Sequence, residues 1–291
     1  MSSWIEDKVV LAHDMFKLED QAANVLSFVL GALLATGSIP PFSVSFLCAF
    51  VAVFCSLLGV NLLNQITDIE IDRINKPHRP LPSGKISKKA AIIITAILYA
   101  IAGVAAAVVS VPAFALTAVY LIMGLLYSLP PARLKERFIL SNISIAICYN
   151  FVNFLMGWVV FKPLGAAPLP LLALLFAYDV IAINAKDYFD VEGDRLHNAR
   201  TLPVLLGTKK ALDVDEISNL AILSVFIALG FSGVIPIYIS VLGILMLIGT
   251  GIIFQDVKKN SDFLRFYHLS FSMHIIARLI ILAMFFSGFV R

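Results

Sequence analysis

Charge is scarce in this 291-residue chain. Only 14% of its residues are Asp, Glu, Lys or Arg, while 60% are hydrophobic and the mean hydropathy is +0.93. Soluble domains carry nearer ~25% charged residues. The shortage excludes an ordinary soluble domain and leaves a multi-span membrane protein. Cysteine is scarce as well. Cys48, Cys55 and Cys148 stand singly in apolar runs, without ligand or disulfide spacing, and read as core filler. The first twenty residues contain acids and lack the apolar core of a signal peptide. The net charge of +3 is unremarkable, and neither nucleic acid nor an obligatory protein partner is expected.

What the chain has in quantity is apolar runs of membrane-spanning length. In order they cover roughly 22–39, 44–66, 90–109, 113–129, 139–161, 169–185, 217–234, 237–254 and 269–289. The fold class expected is therefore all-α, with about nine transmembrane helices. Breaks after the odd-numbered spans are short and almost uncharged, as at Pro40-Pro41, Ser110-Val111-Pro112 and Ile235-Pro236. Breaks after the even-numbered spans are longer and hold nearly all the lysines and arginines, among them Arg73, Lys76, Arg79, Lys135, Arg137, Arg195 and Arg200. The opposite side has only Lys162 and Arg291. Positive loops face the cytoplasm, which puts the N-terminus and the charged loops there.

Two of those loops carry acids in register. Asn64, Asp68 and Asp72 are spaced four apart at the end of the second span. Each step of four turns a helix by about 400°, so the three side chains form one drifting stripe. Carboxylate and amide oxygens in a row are hard ligands of the kind Mg²⁺ takes. Cations follow at once (Arg73, Lys76, Arg79, Lys85) among Pro77, Pro80, Pro82 and Gly84. Metal-binding acids beside cations on a structured loop point to a bound polyanion, most simply a diphosphate.

The end of the sixth span repeats the pattern. Lys186-Asp187-Tyr188-Phe189-Asp190-Val191-Glu192-Gly193-Asp194-Arg195 again places acids four apart, followed by Arg. The likeness runs into the loops: Arg79-Pro80-Leu81-Pro82 matches Arg200-Thr201-Leu202-Pro203, and Gly84 matches Gly207. This is the mark of an internal repeat, with halves at roughly 22–129 and 139–254 and a last helix at 269–289, all in one domain spanning 1–291. The two halves are expected to face each other across one site. Both acid stripes then lie at helix C-termini, where the helix dipole disfavours negative charge. A divalent metal bridging the two would remove the conflict.

Together these stretches resemble the two signature regions of the UbiA superfamily of intramembrane prenyltransferases, and the resemblance extends over nearly the whole chain. It implies a helical bundle around a central cavity under a cytoplasmic cap, and an enzyme that ionises a prenyl diphosphate with Mg²⁺, two ions in all. It further implies transfer of the prenyl group to a lipophilic acceptor within the bilayer. Metal ligands are then Asn64, Asp68, Asp72, Asp190 and Asp194, with Asp187 a further ligand or a support for one. Diphosphate contacts are Asn64, Arg79, Lys135, Arg137, Lys186 and Arg200, and the catalytic set is Asp68, Asp72, Lys186, Asp190 and Asp194. The run Asn75 to Gly84 and the Asp190-x-Glu192-Gly193-Asp194 pattern are most similar to the branch holding archaeal geranylgeranylglyceryl phosphate transferases, chlorophyll synthases and homogentisate prenyltransferases. A geranylgeranyl donor and an archaeal lipid phosphate acceptor follow, with an aromatic quinone precursor or a tetrapyrrole as the alternative. Ala182-Ile183 stands where the archaeal lipid enzymes commonly have Arg-Glu, which keeps that alternative open.

Several polar residues lie inside spans. Asn61 shares a face with Asn64, and Tyr149, Asn150 and Asn153 cluster on the fifth span; all four are candidates for the cavity wall. Asp179 either serves the reaction or pairs with Arg278, on whose face His274 also lies. Two other classes compete. An alcohol phosphatidyltransferase needs an Asp-Gly-x-x-Ala-Arg run, which is absent. A divalent-cation transporter would carry its acids at mid-membrane rather than at the cytoplasmic ends.

Overall fold

The structure is a computed structural model describing residues 15–16, 21–188, 191–196 and 199–288. Among these residues all regular structure is helical. Eight helices are long and apolar enough to cross a membrane: Val44–Thr67, Lys88–Val109, Val111–Ser128, Leu140–Val159, Leu169–Asp187, Thr208–Phe231, Ile237–Asn260 and Phe263–Phe286. A ninth apolar helix, Ala22–Thr36, is shorter. The chain is a multi-pass integral membrane protein.

The breaks expected from sequence are helix caps. Ser43, Ser87, Ser110 and Asp262 each accept a hydrogen bond from the backbone N–H three residues on, at 2.9–3.2 Å. Each satisfies one of the donors that a helix start leaves open. Ser110 alone separates two long helices. Two helices begin earlier than their apolar runs: the seventh at Thr208 rather than 217, and the ninth at Phe263 rather than 269. Their first turns are rich in lysine, aspartate and arginine, which are tolerated in a helix but carry no hydropathy signal.

The chain folds as two compact units. The first comprises Met1–Arg133 and Val152–Leu164, the second Leu134–Phe151 and Gly165–Arg291. In the first unit the helix Lys88–Val109 turns large aliphatics outward (Ile93, Ile97, Ile101, Val104, Val108) and small residues inward (Ala91, Thr95, Ala102, Ala106). Lipid is as apolar as leucine, so membrane helices associate through small residues that let backbones approach. One such close approach joins Ala22–Thr36 to Asn153–Val159. A Cβ on Gly157 would lie 1.9 Å from the Phe28 carbonyl oxygen, and one on Gly31 2.0 Å from that of Phe154.

The second unit is built on a core of Ala185, Tyr188, Leu202, Ala211, Leu212, Ile253, Phe254, Val257, Phe266 and Met273. The fifth helix serves both units. It is α-helical over Leu140–Ala146, widens to a π-helix over Ile147–Val152 and resumes as α over Asn153–Val159. The wide turn re-registers the helix faces. Asn150, within it, bonds in the second unit, whereas Asn153 donates to Asn24 Oδ1 of the first unit at 3.5 Å.

Candidate active site

The first acidic stripe sits where the second apolar helix ends. Asn61 and Asn64 occupy its last turns, both half-buried. The sequence reading makes the stripe one helix, but the α-helix stops at Thr67 and restarts as Ile69–Asn75, with Asp68 between them at φ −105°, ψ 8°. The register survives the bend. Asp68 N–H donates to Asn64 O (3.1 Å), Asp72 N–H to Asp68 O (2.7 Å) and Lys76 N–H to Asp72 O (2.8 Å). Asn64, Asp68 and Asp72 therefore keep their fourfold spacing along an unbroken hydrogen-bonded path. The corner is seated on Met15, Leu62, Ile66, Ile69, Leu81 and Ala91.

The loop that follows folds back on the acids. Ser83 N–H reaches Arg79 O, Ile86 N–H reaches Pro80 O, and Gly84 turns at φ 76°, in the region open to glycine. This brings Arg79 Nη1 to 2.6 Å from Asp72 Oδ2, an ion pair whose carboxylate is buried and whose guanidinium is partly so. Arg133 Nη2 lies 3.8 Å from Asp68 Oδ1. Each acid of the first stripe thus faces a guanidinium. The approach of Arg133 to Asp68 is one that sequence reasoning missed; its only signal was its place in a cation-rich loop.

In the second unit Lys186 and Asp187 lie on a 3₁₀ turn, Ile183–Asp187, that extends the sixth apolar helix. Lys186 Nζ meets Asp187 Oδ1 at 2.6 Å, and Asp187 is buried. Asp194 follows on the short helix Val191–Leu196. Asp190, assigned to metal binding, lies outside the described residues. Leu202 anchors the next loop in the core and Gly207 turns at φ 78°, as Leu81 and Gly84 do in the first.

Three expected diphosphate contacts come together in this unit. Lys135 lies on the 3₁₀ turn Leu134–Glu136, and Arg200 N–H donates to Glu136 O at 3.0 Å. Arg137 and Arg200 form a parallel backbone bridge. Residues in the left-handed region bracket this segment: Arg133 at φ 36° and the β-branched Ile139 at φ 62°. Such conformations cost about 1–3 kcal/mol each and concentrate at functional sites.

Asp179 takes the paired role. It is fully buried, with His274 Nδ1 at 2.5 Å and Arg278 Nη2 at 3.5 Å. Arg278 also donates to the His274 carbonyl (2.6 Å) and to Asn150, which donates to Asp179. Asn150 is thus engaged in this cluster and Asn153 with Asn24; Tyr149 is half-buried within the π-turn. Among the described residues no group of three His, Cys, Asp or Glu side chains is close enough to hold a metal. The donors in the acidic stretches are all oxygen: one amide at Asn64, and carboxylates at Asp68, Asp72, Asp187 and Asp194. That chemistry fits a hard divalent cation such as Mg²⁺ and does not fit a soft one.

The fold and these pairs define a class: a helical membrane protein with acids and guanidiniums paired at a helix end. The chain belongs to the UbiA prenyltransferase family, whose model matches residues 24–276. It is similar to the digeranylgeranylglyceryl phosphate synthase of Thermococcus kodakarensis, with 34% identity over 216 residues, covering 72% of this chain and 76% of the relative. The synthase of Thermococcus gammatolerans is also 34% identical, over 193 residues, covering 66% of this chain and 68% of the relative. A solved structure concerning digeranylgeranylglyceryl phosphate synthase in membranes superposes with a TM-score of 0.69 at 24% identity, covering 98% of this chain and 99% of that one. The structure of a UbiA homologue from Archaeoglobus fulgidus bound to GPP and Mg²⁺ gives a TM-score of 0.72 at 19% identity, covering 94% and 99%. The chain is a prenyltransferase with the UbiA fold.

Proposed function

We propose that this prenyltransferase transfers a geranylgeranyl group from its diphosphate to the hydroxyl of geranylgeranylglyceryl phosphate, forming the second ether of an archaeal-type lipid. The observation that carries the reading is the pairing of an oxygen-donor stripe with guanidiniums at the end of a membrane helix, in a chain whose curated relatives are digeranylgeranylglyceryl phosphate synthases.

Asn64, Asp68 and Asp72 would hold one Mg²⁺, and Asp187, Asp190 and Asp194 a second. Bound magnesium supplies Lewis-acid stabilisation of the charge that develops on the leaving diphosphate. Arg79 and Arg133 neutralise the first stripe in the protein as described, and they stand ready to exchange carboxylates for phosphate oxygens. Lys135, Arg137 and Arg200, gathered by the bridge, and Lys186 supply further fixed positive charge, worth most where water is excluded. The prenyl C–O bond breaks with its electron pair going to diphosphate. The allylic carbon then bonds to the acceptor oxygen, which gives up its proton. Apolar helix faces shield the cation from water. The acidic loops and the N-terminus lie on the cytoplasmic side, where the lysines and arginines concentrate.

The test is diphosphate release from geranylgeranyl diphosphate by purified protein with Mg²⁺, across a panel of acceptors. Release that depends on both Mg²⁺ and geranylgeranylglyceryl phosphate is expected. Release driven instead by an aromatic or tetrapyrrole acceptor would overturn the assignment of the acceptor.

A further inference from the structure

Behind the second acidic segment lies a buried polar chain that no ligand-binding role accounts for. Asp215, on the helix Thr208–Phe231, is 3% exposed, and among the described residues no lysine or arginine pairs with it. Its charge is met by hydrogen-bond donors. Asn184 Nδ2 donates to Oδ1 and the Tyr188 hydroxyl to Oδ2, both at 2.7 Å. The chain continues outward: Asn184 Oδ1 accepts from Asn142 Nδ2 at 2.5 Å, and that same nitrogen donates to Val180 O at 2.9 Å. On the other side Asn219 Nδ2 donates to the Asp215 carbonyl. Asn142, Asn184 and Asp215 come from three different membrane helices of the second unit.

The two residues that Asp215 grips, Asn184 and Tyr188, flank Lys186 and Asp187. Both ends of the segment carrying the cation and first acid are thus tied to one carboxylate. The Tyr188 ring also stacks on Phe263 and meets Phe266 edge-on, with ring centroids at 5.7 and 5.5 Å. A carboxylate in an apolar setting without a counter-cation is costly unless fully hydrogen-bonded. Such outer groups orient ligands, and their loss typically costs ~10–100-fold in metal affinity.

We propose that Asp215 is a positioning residue for the second acidic segment: through Asn184 and Tyr188 it fixes the backbone that presents Lys186 and Asp187 to the metal–diphosphate. This rests on the reading of that segment as part of the prenyl diphosphate site.

The direction of the chain makes a sharp test. The Val180 carbonyl fixes the Asn142 amide, which fixes the Asn184 amide, which therefore offers only N–H to residue 215. In Asp215→Asn the new amide can accept from Asn184 or from Tyr188 but not from both. The double variant Asn184→Asp/Asp215→Asn restores every bond with the charge moved one place along. The carboxylate now at position 184 accepts from Asn142 and from the amide at position 215. That amide in turn accepts from Tyr188 through its oxygen.

The measurement is the Mg²⁺ concentration giving half-maximal thermal stabilisation of detergent-solubilised protein with inorganic diphosphate, alongside the Mg²⁺ dependence of turnover. Asp215→Asn should raise both midpoints about tenfold, with turnover recovering at saturating Mg²⁺. The double variant should return them to within about threefold. Gly157→Ala, which strains the first unit, should lower the melting temperature without moving either midpoint. Should Asp215→Asn fail to fold, Tyr188→Phe removes one of the two donors and should shift the midpoints in the same direction. Unmoved midpoints in a folded Asp215→Asn or Tyr188→Phe variant, or a double variant no better than the single, would overturn the inference. Unmoved midpoints in Asp187→Asn and Asp194→Asn would instead defeat the underlying reading of the site.

Discussion

Replacing Arg79 with alanine separates its two roles. In the protein as described, Arg79 and Asp72 form an ion pair at 2.6 Å, with side chains 13% and 6% exposed. Removing one partner of such a pair leaves the other charge unpaired away from water, at a cost of about 3 kcal/mol. Mg²⁺ offers Asp72 another positive charge, and without Arg79 it no longer has to displace a guanidinium. The Arg79→Ala protein should therefore be about 3 kcal/mol less stable than the parent without metal. It should also gain more stability from Mg²⁺ alone, with tighter binding by roughly one order of magnitude for each ~1.4 kcal/mol of displacement avoided. Turnover should fall even at saturating Mg²⁺, because the proposed diphosphate contact is gone. The assay is thermal unfolding in detergent across a Mg²⁺ series, set beside diphosphate release. Equal metal-free stability of variant and parent, or equal gains from Mg²⁺, would refute the reasoning.

Three further outcomes are expected. Asp68→Ala and Asp190→Ala should each abolish prenyl transfer while the purified protein stays folded; near-parental turnover in either would remove it from the metal set. Single cysteines near His78 and His197, in a background without Cys48, Cys55 and Cys148, should resist an impermeant thiol reagent in right-side-out vesicles, and labelling there would invert the topology. In the complex with Mg²⁺ and a prenyl diphosphate, carboxylates of the first and second stripes should lie within about 10 Å, so that both reach one metal–diphosphate through Mg²⁺–oxygen bonds of about 2.0–2.1 Å; stripes on opposite faces of the bundle would defeat the shared site.

The spans were legible because lipid demands long apolar runs, and the serine and proline breaks between them are caps. Their cytoplasmic ends were not, since the charged turns at Thr208–Glu216 and Phe263–Arg265 form helix without a hydropathy signal. Fourfold spacing made Asn64, Asp68 and Asp72 readable as a stripe. It did not show that the loop through Pro77, Pro80 and Pro82 returns Arg79 onto Asp72, because a path through three prolines has no simple periodicity. Asp215 precedes the apolar run that begins at 217, so hydropathy alone does not place it in a span. A signal did exist: Ala211, Asp215, Asn219 and Leu223 recur every four residues, and all are buried. Its partners Asn184 and Tyr188, and Asn142 beyond Asn184, come from distant turns of the chain, so only the fold could join them.

The widened turn in the fifth helix bears on how the chain is made. The first unit needs Val152–Leu164, yet Leu134–Phe151, the stretch synthesised just before, belongs to the second. As the polypeptide leaves the ribosome, the first four apolar helices enter the bilayer with the Gly31 face of Ala22–Thr36 uncovered. It stays so until Gly157 emerges, more than a hundred residues later. Domains usually mature in the order of their synthesis; here the earlier unit waits on the middle of the message. A ribosome stalled before Leu164 leaves an incomplete first unit, exposed to membrane quality control.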